Sequence, residues 1–157
     1  MVLSQTAQYA LRAMAWLTTV PSGEPIRVKD LSNATGIPSH YLSKVMRRLV
    51  LAGLVTSQKG QGGGFLLSKP PDEIPFTAIL KAVDAYPSDG SCAFGWGRCD
   101  AVHPCPLHDS WSRLNEQLEA WATGTTLADI ARDGFENREV RLQADDDESA
   151  KREPNIG

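Results

Sequence analysis

The chain has 157 residues, 41% hydrophobic and 22% charged, with a formal net charge of -3, enough for one domain with a core of its own. Its apolar stretches fall far short of the roughly 20 residues a membrane span requires and no basic-then-apolar leader opens it, so a soluble, cytoplasmic protein with no membrane partner is expected. The total conceals a division: residues 1–70 hold eight Lys and Arg against two Asp and Glu, a net of +6, whereas residues 71–157 hold eight against seventeen, a net of -9.

A basic first half and an acidic remainder call for an anionic partner on the first half only, and nucleic acid is the candidate, against a merely solvated basic face. Ser4 can cap a helix through "QTAQYALRAMAWLTTV", with Tyr9, Leu11, Ala13, Met14, Ala15, Leu17 and Val20 as its apolar face. "PSGEP" breaks it. "VKDLSNATG" reads as a short helix closed near Gly36, and "SHYLSKVMRRLVLAG" as a longer one with Ser39 as N-cap and Gly53 past its end. In the second, Leu42, Val45, Met46 and Leu49 form one stripe while His40, Ser43, Lys44, Arg47 and Arg48 project elsewhere.

"LVTSQ" and "FLLS" read as two short strands joined by the glycine-rich "KGQGGG", a hairpin with a basic tip. "KPPDEIP" breaks the chain before an amphipathic helix, "FTAILKAVDAY", built on Phe76, Ile79, Leu80 and Val83. "PSDGSCAFGWGRCDAVHPC" is a loop long enough to need an explanation inside a compact domain, and a bound metal would supply one. Pro106 then suits the first position of a helix with Asp109 in its first turn and Gly124 after its end. Leu107, Trp111, Leu114, Leu118 and Trp121 recur on it at steps of four and three, a heptad seam read as a helix-helix contact in a homodimer. "TTLADIA" forms a short capped helix, and the charged tail from about Asp133 is expected to be disordered.

Two helices on a tight turn, followed by a glycine-tipped hairpin, make a winged helix-turn-helix. The fold class expected is mainly α with a small β-wing: a winged helix-turn-helix domain over residues 1–71, a cysteine loop and dimerisation helices over 72–132, and an acidic tail over 133–157. His40, Tyr41, Ser43 and Lys44 are placed towards base edges of double-stranded DNA, with Ser39 beside them in the DNA-binding set, Arg47 and Arg48 towards phosphates, and Lys59, Gly60, Gln61 and Gly62 at the wing. A dimer doubles these contacts and calls for a palindromic site.

Cys92, Cys99, Cys105 and His108 offer three thiols and an imidazole within seventeen residues, the donor number of one tetrahedral zinc and also of a 2Fe-2S cluster with one histidine ligand. Spacing leaves the two open, with an empty loop as the third reading. His103 is the weaker histidine because it lies in the loop, and Phe94 and Trp96 are read as shielding the site. No nucleotide fingerprint, C-x-x-C pair or catalytic constellation is present, which argues against an enzyme and against a small-molecule substrate.

The opening "LSQTAQYALRAM", the pair "LSNATGIPSHYLSKVMRRLVLAGLVTS", the wing "KGQGGGFLLSKP", the three cysteines and "LADI" together resemble the Rrf-two family of iron-sulfur transcription regulators over about residues 1–131. The resemblance implies a homodimeric DNA-binding regulator whose cluster state or occupancy tunes DNA affinity. It implies Cys92, Cys99 and Cys105 as cluster ligands. His108 matches the histidine that completes a 2Fe-2S site in IscR-like members, and a 4Fe-4S cluster is the other option. Other members use an N-terminal aspartate, or a glutamate and histidine, where this chain has Gln8 and Arg12, which favours the histidine-ligated type. The first cysteine gap is one residue longer than in IscR-like members, and Ser43 stands where they have a glutamate.

Overall fold

The computed structural model describes residues 3–86 and 90–133. Six α-helices and one hairpin follow in the order α1 (Gln5–Leu17), α2 (Val28–Thr35), α3 (Ser39–Leu51), β1 (Val55–Gln58), β2 (Gly64–Leu67), α4 (Phe76–Ala82), α5 (His108–Gly124) and α6 (Leu127–Asp133). The tail expected to be disordered lies, after Asp133, outside the described residues.

Local chemistry sets the helix ends. The Ser4 hydroxyl accepts from the Ala7 N–H at 3.2 Å, as an N-cap should. Gly36 closes α2 with φ 68°, a conformation that costs glycine nothing, and its N–H reaches the Ser32 carbonyl. The cap of α3 differs from expectation: Pro38 holds that position and Ser39 is the first helical residue. Proline fixes φ near the value needed there, and the Ser39 hydroxyl turns to Ser32 Oγ at 3.0 Å, joining α2 to α3. At α6 the Asp129 carboxylate accepts from both the N–H and the hydroxyl of Thr126.

Met14 of α1, Leu31 of α2, Leu42, Met46 and Leu49 of α3, and Ile79 and Leu80 of α4 are fully buried together with Leu127 of α6. The stripe expected on α3 is thus the core stripe. Burying each such side chain contributes about 1.5–3 kcal/mol before the entropy cost of ordering it. α4 stops at Ala82, short of the expected end at Tyr86, and Asp84 turns the chain with φ 52°. The N–H groups of Phe76 and Leu127 bond the carbonyls of Thr125 and Ile74, so the α5–α6 junction is pinned against the entrance to α4.

β1 and β2 pair antiparallel, Val55 opposite Leu67 and Gln58 opposite Gly64. A third segment joins them: Ile26, in the link between α1 and α2, exchanges both backbone bonds with Phe65, at 2.9 and 2.8 Å. A Cβ on Gly64 would meet the Ile26 carbonyl, so glycine is required where the wing crosses that link. No helix among the described residues is long and apolar enough to cross a membrane.

Candidate nucleic-acid interface and metal centre

α3 lies with one side in the core, and the opposite side presents Ser39, His40, Tyr41, Ser43, Lys44, Arg47 and Arg48, all exposed. Tyr41 is 46% exposed and stacks against His40 at 4.1 Å between ring centres, with Tyr9 of α1 at 6.1 Å. The aromatic row steadies the N-terminal half of α3, and a cavity of about 240 Å³ runs from it past Lys44 to Arg48. The Ser43 hydroxyl donates to the Ser39 carbonyl at 2.8 Å. Lys59, Gly60, Gln61 and Gly62 form the exposed wing tip, and Gly60 and Gly62 have φ of 95° and 79°.

Arg48 is also engaged within its own chain. Its guanidinium donates to the Val83 carbonyl at 2.8 Å and lies 3.5 Å from the Asp84 carboxylate, tying α3 to the end of α4. That partner, 35 positions away in sequence, leaves no periodic trace. Arg12 is likewise engaged, with the Thr35 carbonyl at 3.3 Å.

α5 begins at His108, two residues after the expected start, because Pro106 and Leu107 form a turn closed by the His108 N–H to the Cys105 carbonyl at 2.9 Å. Gly124 is its last residue rather than the one after it. Of the heptad positions, Leu107, Leu114 and Trp121 are 44%, 50% and 41% exposed, and Trp111 and Leu118 are partly covered. Within α5 only Ala122 is buried. Trp121 also packs edge-on against Phe76 of α4 at 5.3 Å, so the seam serves the chain's own core at that end.

The cysteine loop is ordered by its own backbone. The Cys92 N–H donates to the Gly97 carbonyl, the Gly95 N–H to the Cys92 carbonyl, and the Cys99 N–H to the Gly90 carbonyl. The Trp111 indole donates to the Ser91 carbonyl at 2.7 Å and so fastens the loop to α5. The four donors arrive as two pairs: Cys92 and Cys105 sulfurs are 3.8 Å apart, and Cys99 Sγ lies 3.1 Å from His108 Nδ1. Among the described residues no three Cys, His, Asp or Glu side chains converge on one point. Two thiolates on one tetrahedral ion, with metal-sulfur bonds of about 2.3 Å, stand roughly 3.8 Å apart, so the first pair has the spacing of ligands to a shared metal.

The backbone N–H of Phe94, with that of Trp96 and the hydrogen bond with the Cys105 side chain, holds the Cys92 thiol below its ordinary pKa against the opposing effect of burial, which favours the thiolate that a metal takes. Cys92, Cys99, Cys105, Trp96, Arg98, Asp100 and His103 line a cavity of about 250 Å³. His103 is held by Asp100 at 3.0 Å, which lowers the Asp100 pKa. Phe94 and Trp96 stack at 4.7 Å, 46% and 72% exposed, and of the two Trp96 borders the cavity.

Residues 3–133 match the model of the Rrf2 family, described as iron-dependent transcriptional regulators. The HTH-type transcriptional regulator IscR of Serratia proteamaculans (strain 568) is 32% identical over 145 residues, covering 92% of this chain and 85% of that protein. The structure of T. potens IscR superposes with a TM-score of 0.67 at 25% identity, over 83% of this chain and 86% of that one. That of CymR, the global cysteine regulator of B. subtilis, has a TM-score of 0.70 at 24% identity, over 84% and 97%, a likeness of fold.

Proposed function

This chain belongs to the Rrf2 family of transcriptional regulators, and from that premise we propose that it is a cytoplasmic homodimer whose affinity for a palindromic operator is tuned by an iron-sulfur cluster on Cys92, Cys99, Cys105 and His108. It is a winged-helix DNA-binding regulator and not an enzyme. The observation that carries the cluster reading is the pairing of donors, Cys92 with Cys105 and Cys99 with His108. One zinc needs four ligands around one point, whereas a two-iron cluster needs two on each iron. The 2Fe-2S form is therefore favoured over 4Fe-4S.

The residues divide the work. His40, Tyr41, Ser43 and Lys44 face base edges from the first turns of α3, with Ser39 at its start. Arg47 and the wing-tip Lys59 neutralise phosphates, and the Gly60–Gly62 backbone lets the tip approach the duplex closely. Leu107, Trp111, Leu114, Leu118 and Trp121 supply the dimer seam on α5. A bound cluster supplies a site whose charge and occupancy respond to iron, oxidants or nitric oxide. His108, neutral when it ligates, leaves the site one negative charge lighter than four thiolates would, which raises its potential. Trp111, bonded to the Ser91 carbonyl, joins the loop to the helix that carries the seam, so a change at the cysteines is felt at the dimer contact and at the spacing of the two α3 helices.

Protein purified without air is expected to contain iron and acid-labile sulfide in equal amounts, about two of each per chain. It is expected to shift its affinity for promoter DNA when the cluster is removed from the same sample. Stoichiometric zinc without sulfide would sink the cluster reading and leave a DNA-binding dimer with a structural metal.

A further inference from the structure

We propose that, in the metal-free protein, Cys92 and Cys105 are the pair that a hydroperoxide converts to an intrachain disulfide, and that this bond is a latch that withholds the metal site until it is reduced. The two sulfurs stand 3.8 Å apart, already in contact, and need close only to roughly 2.05 Å. Both are held at the junction of the loop with α5. Cys92 follows Ser91, whose carbonyl takes the Trp111 indole, and the Cys105 carbonyl takes the His108 N–H. The third cysteine is otherwise engaged, its sulfur on His108 Nδ1 and its N–H on the Gly90 carbonyl. Proximity thus selects one of the three pairings that three cysteines allow.

The cavity of about 250 Å³ that all three cysteines line is open to a molecule as small as hydrogen peroxide. Cys105 is the more accessible of the pair, and Cys92 is buried, so Cys105 meets the oxidant first. Its sulfur attacks one peroxide oxygen, the O–O bond breaks, and a sulfenic acid and one water form. The Cys92 sulfur then attacks the Cys105 sulfur, the S–O bond breaks, and the second water leaves with the remaining thiol proton. Two thiols and one hydrogen peroxide become one disulfide and two waters, the two electrons passing to the peroxide oxygens.

The disulfide rests on the geometry of the loop alone, and only its consequence rests on the cysteines being metal ligands. With Cys92 and Cys105 joined, Cys99 and His108 are the remaining donors of the set, too few to hold a cluster. Oxidative loss of the cluster is then followed by a state that cannot refill until a thiol reductant acts.

The full-length apo-protein, treated without air with one equivalent of hydrogen peroxide, alkylated and digested with trypsin and Asp-N, provides the test. In parallel digests, trypsin cleavage after Arg98 parts Cys92 from the other two cysteines, and Asp-N cleavage before Asp100 parts Cys105 from the other two. The expected product links the fragment with Cys92 to the fragment with Cys105, leaves Cys99 alkylated, and lowers the free thiols from three to one per chain. Cys99→Ser is expected to lose its two thiols as the unaltered chain does, and Cys105→Ser to form no intrachain bond. A crosslink through Cys99, a disulfide between chains as the main product, or three unreacted or singly over-oxidised thiols overturns the pairing. Cobalt(II), added as a probe, is expected to give thiolate-to-cobalt absorption with the reduced protein and to lose most of it after peroxide, with recovery on phosphine treatment. Equal cobalt absorption before and after oxidation overturns the latch. Iron and sulfide content decides the cluster reading separately: a zinc protein would end that reading and leave the Cys92–Cys105 bond standing.

Discussion

Arg48 and Lys44 lie one turn apart on α3 and are predicted to behave oppositely in DNA binding. Lys44 and Arg47 are exposed on α3, so Lys44→Ala and Arg47→Ala are each expected to weaken DNA binding. Each should also lower the slope of log K against log salt by about 1, the release of one counterion per phosphate contact. Arg48 is bonded to the Val83 carbonyl, and Arg48→Met is expected to leave that slope unchanged and to cost about 1 kcal/mol of stability in urea unfolding, the net worth of one hydrogen bond. The exposed Asp84 carboxylate, 85% accessible, adds little. A slope that fell by about 1 in Arg48→Met would return this residue to the phosphate-binding set. At the wing tip, Lys59→Ala is expected to resemble Arg47→Ala.

At the scale of elements, the wing and the long helix make separate predictions. Gly64→Ala forces a Cβ onto the Ile26 carbonyl, backbone against backbone, and is expected to destabilise the fold by about 1–3 kcal/mol and to weaken DNA binding beyond that loss by displacing the wing. Leu114, half exposed on α5, is the position of the proposed seam with least cover from its own chain. Leu114→Asp is expected to turn a sedimenting dimer into a monomer, and a dimer that survived it would refute the seam. Much of this architecture is legible in the sequence, since four of the helices carry a stripe that repeats every three to four residues, and Leu42, Val45, Met46 and Leu49 are buried as that stripe demands. Single-residue and long-range features are not legible. Ile26 joins the sheet as one bridged residue, too short to show alternation, and α4 ends at Ala82 because Asp84 takes a positive φ that its side chain does not advertise. The four candidate donors can be picked out by residue type and spacing, but their division into Cys92 with Cys105 and Cys99 with His108 depends on how the loop folds back on α5.

For the whole molecule, the charge division seen in the sequence separates a basic first half that carries α3 and the wing from an acidic half that holds the cysteine loop. Removing a cluster is expected to alter operator affinity about five- to 150-fold, a coupling of 1–3 kcal/mol between the two sites. Fluorescence anisotropy of labelled promoter DNA, on one preparation before and after removal, measures it, and a change below twofold would mean that the sites are uncoupled. The Ile26–Phe65 bridge gives that coupling a second direction. Because both backbone bonds fasten the wing to the link between α1 and α2, a wing seated on DNA is not a loose finger but a handle on α1, and α1 packs on α3, α4 and α6. Linkage requires that whatever the cluster does for the operator, the operator does for the cluster by the same factor. If the proposed cluster is present, the promoter is itself an effector of its retention, and regulators on their operators would keep or surrender it at concentrations of iron and sulfide where the same regulators free in solution would not.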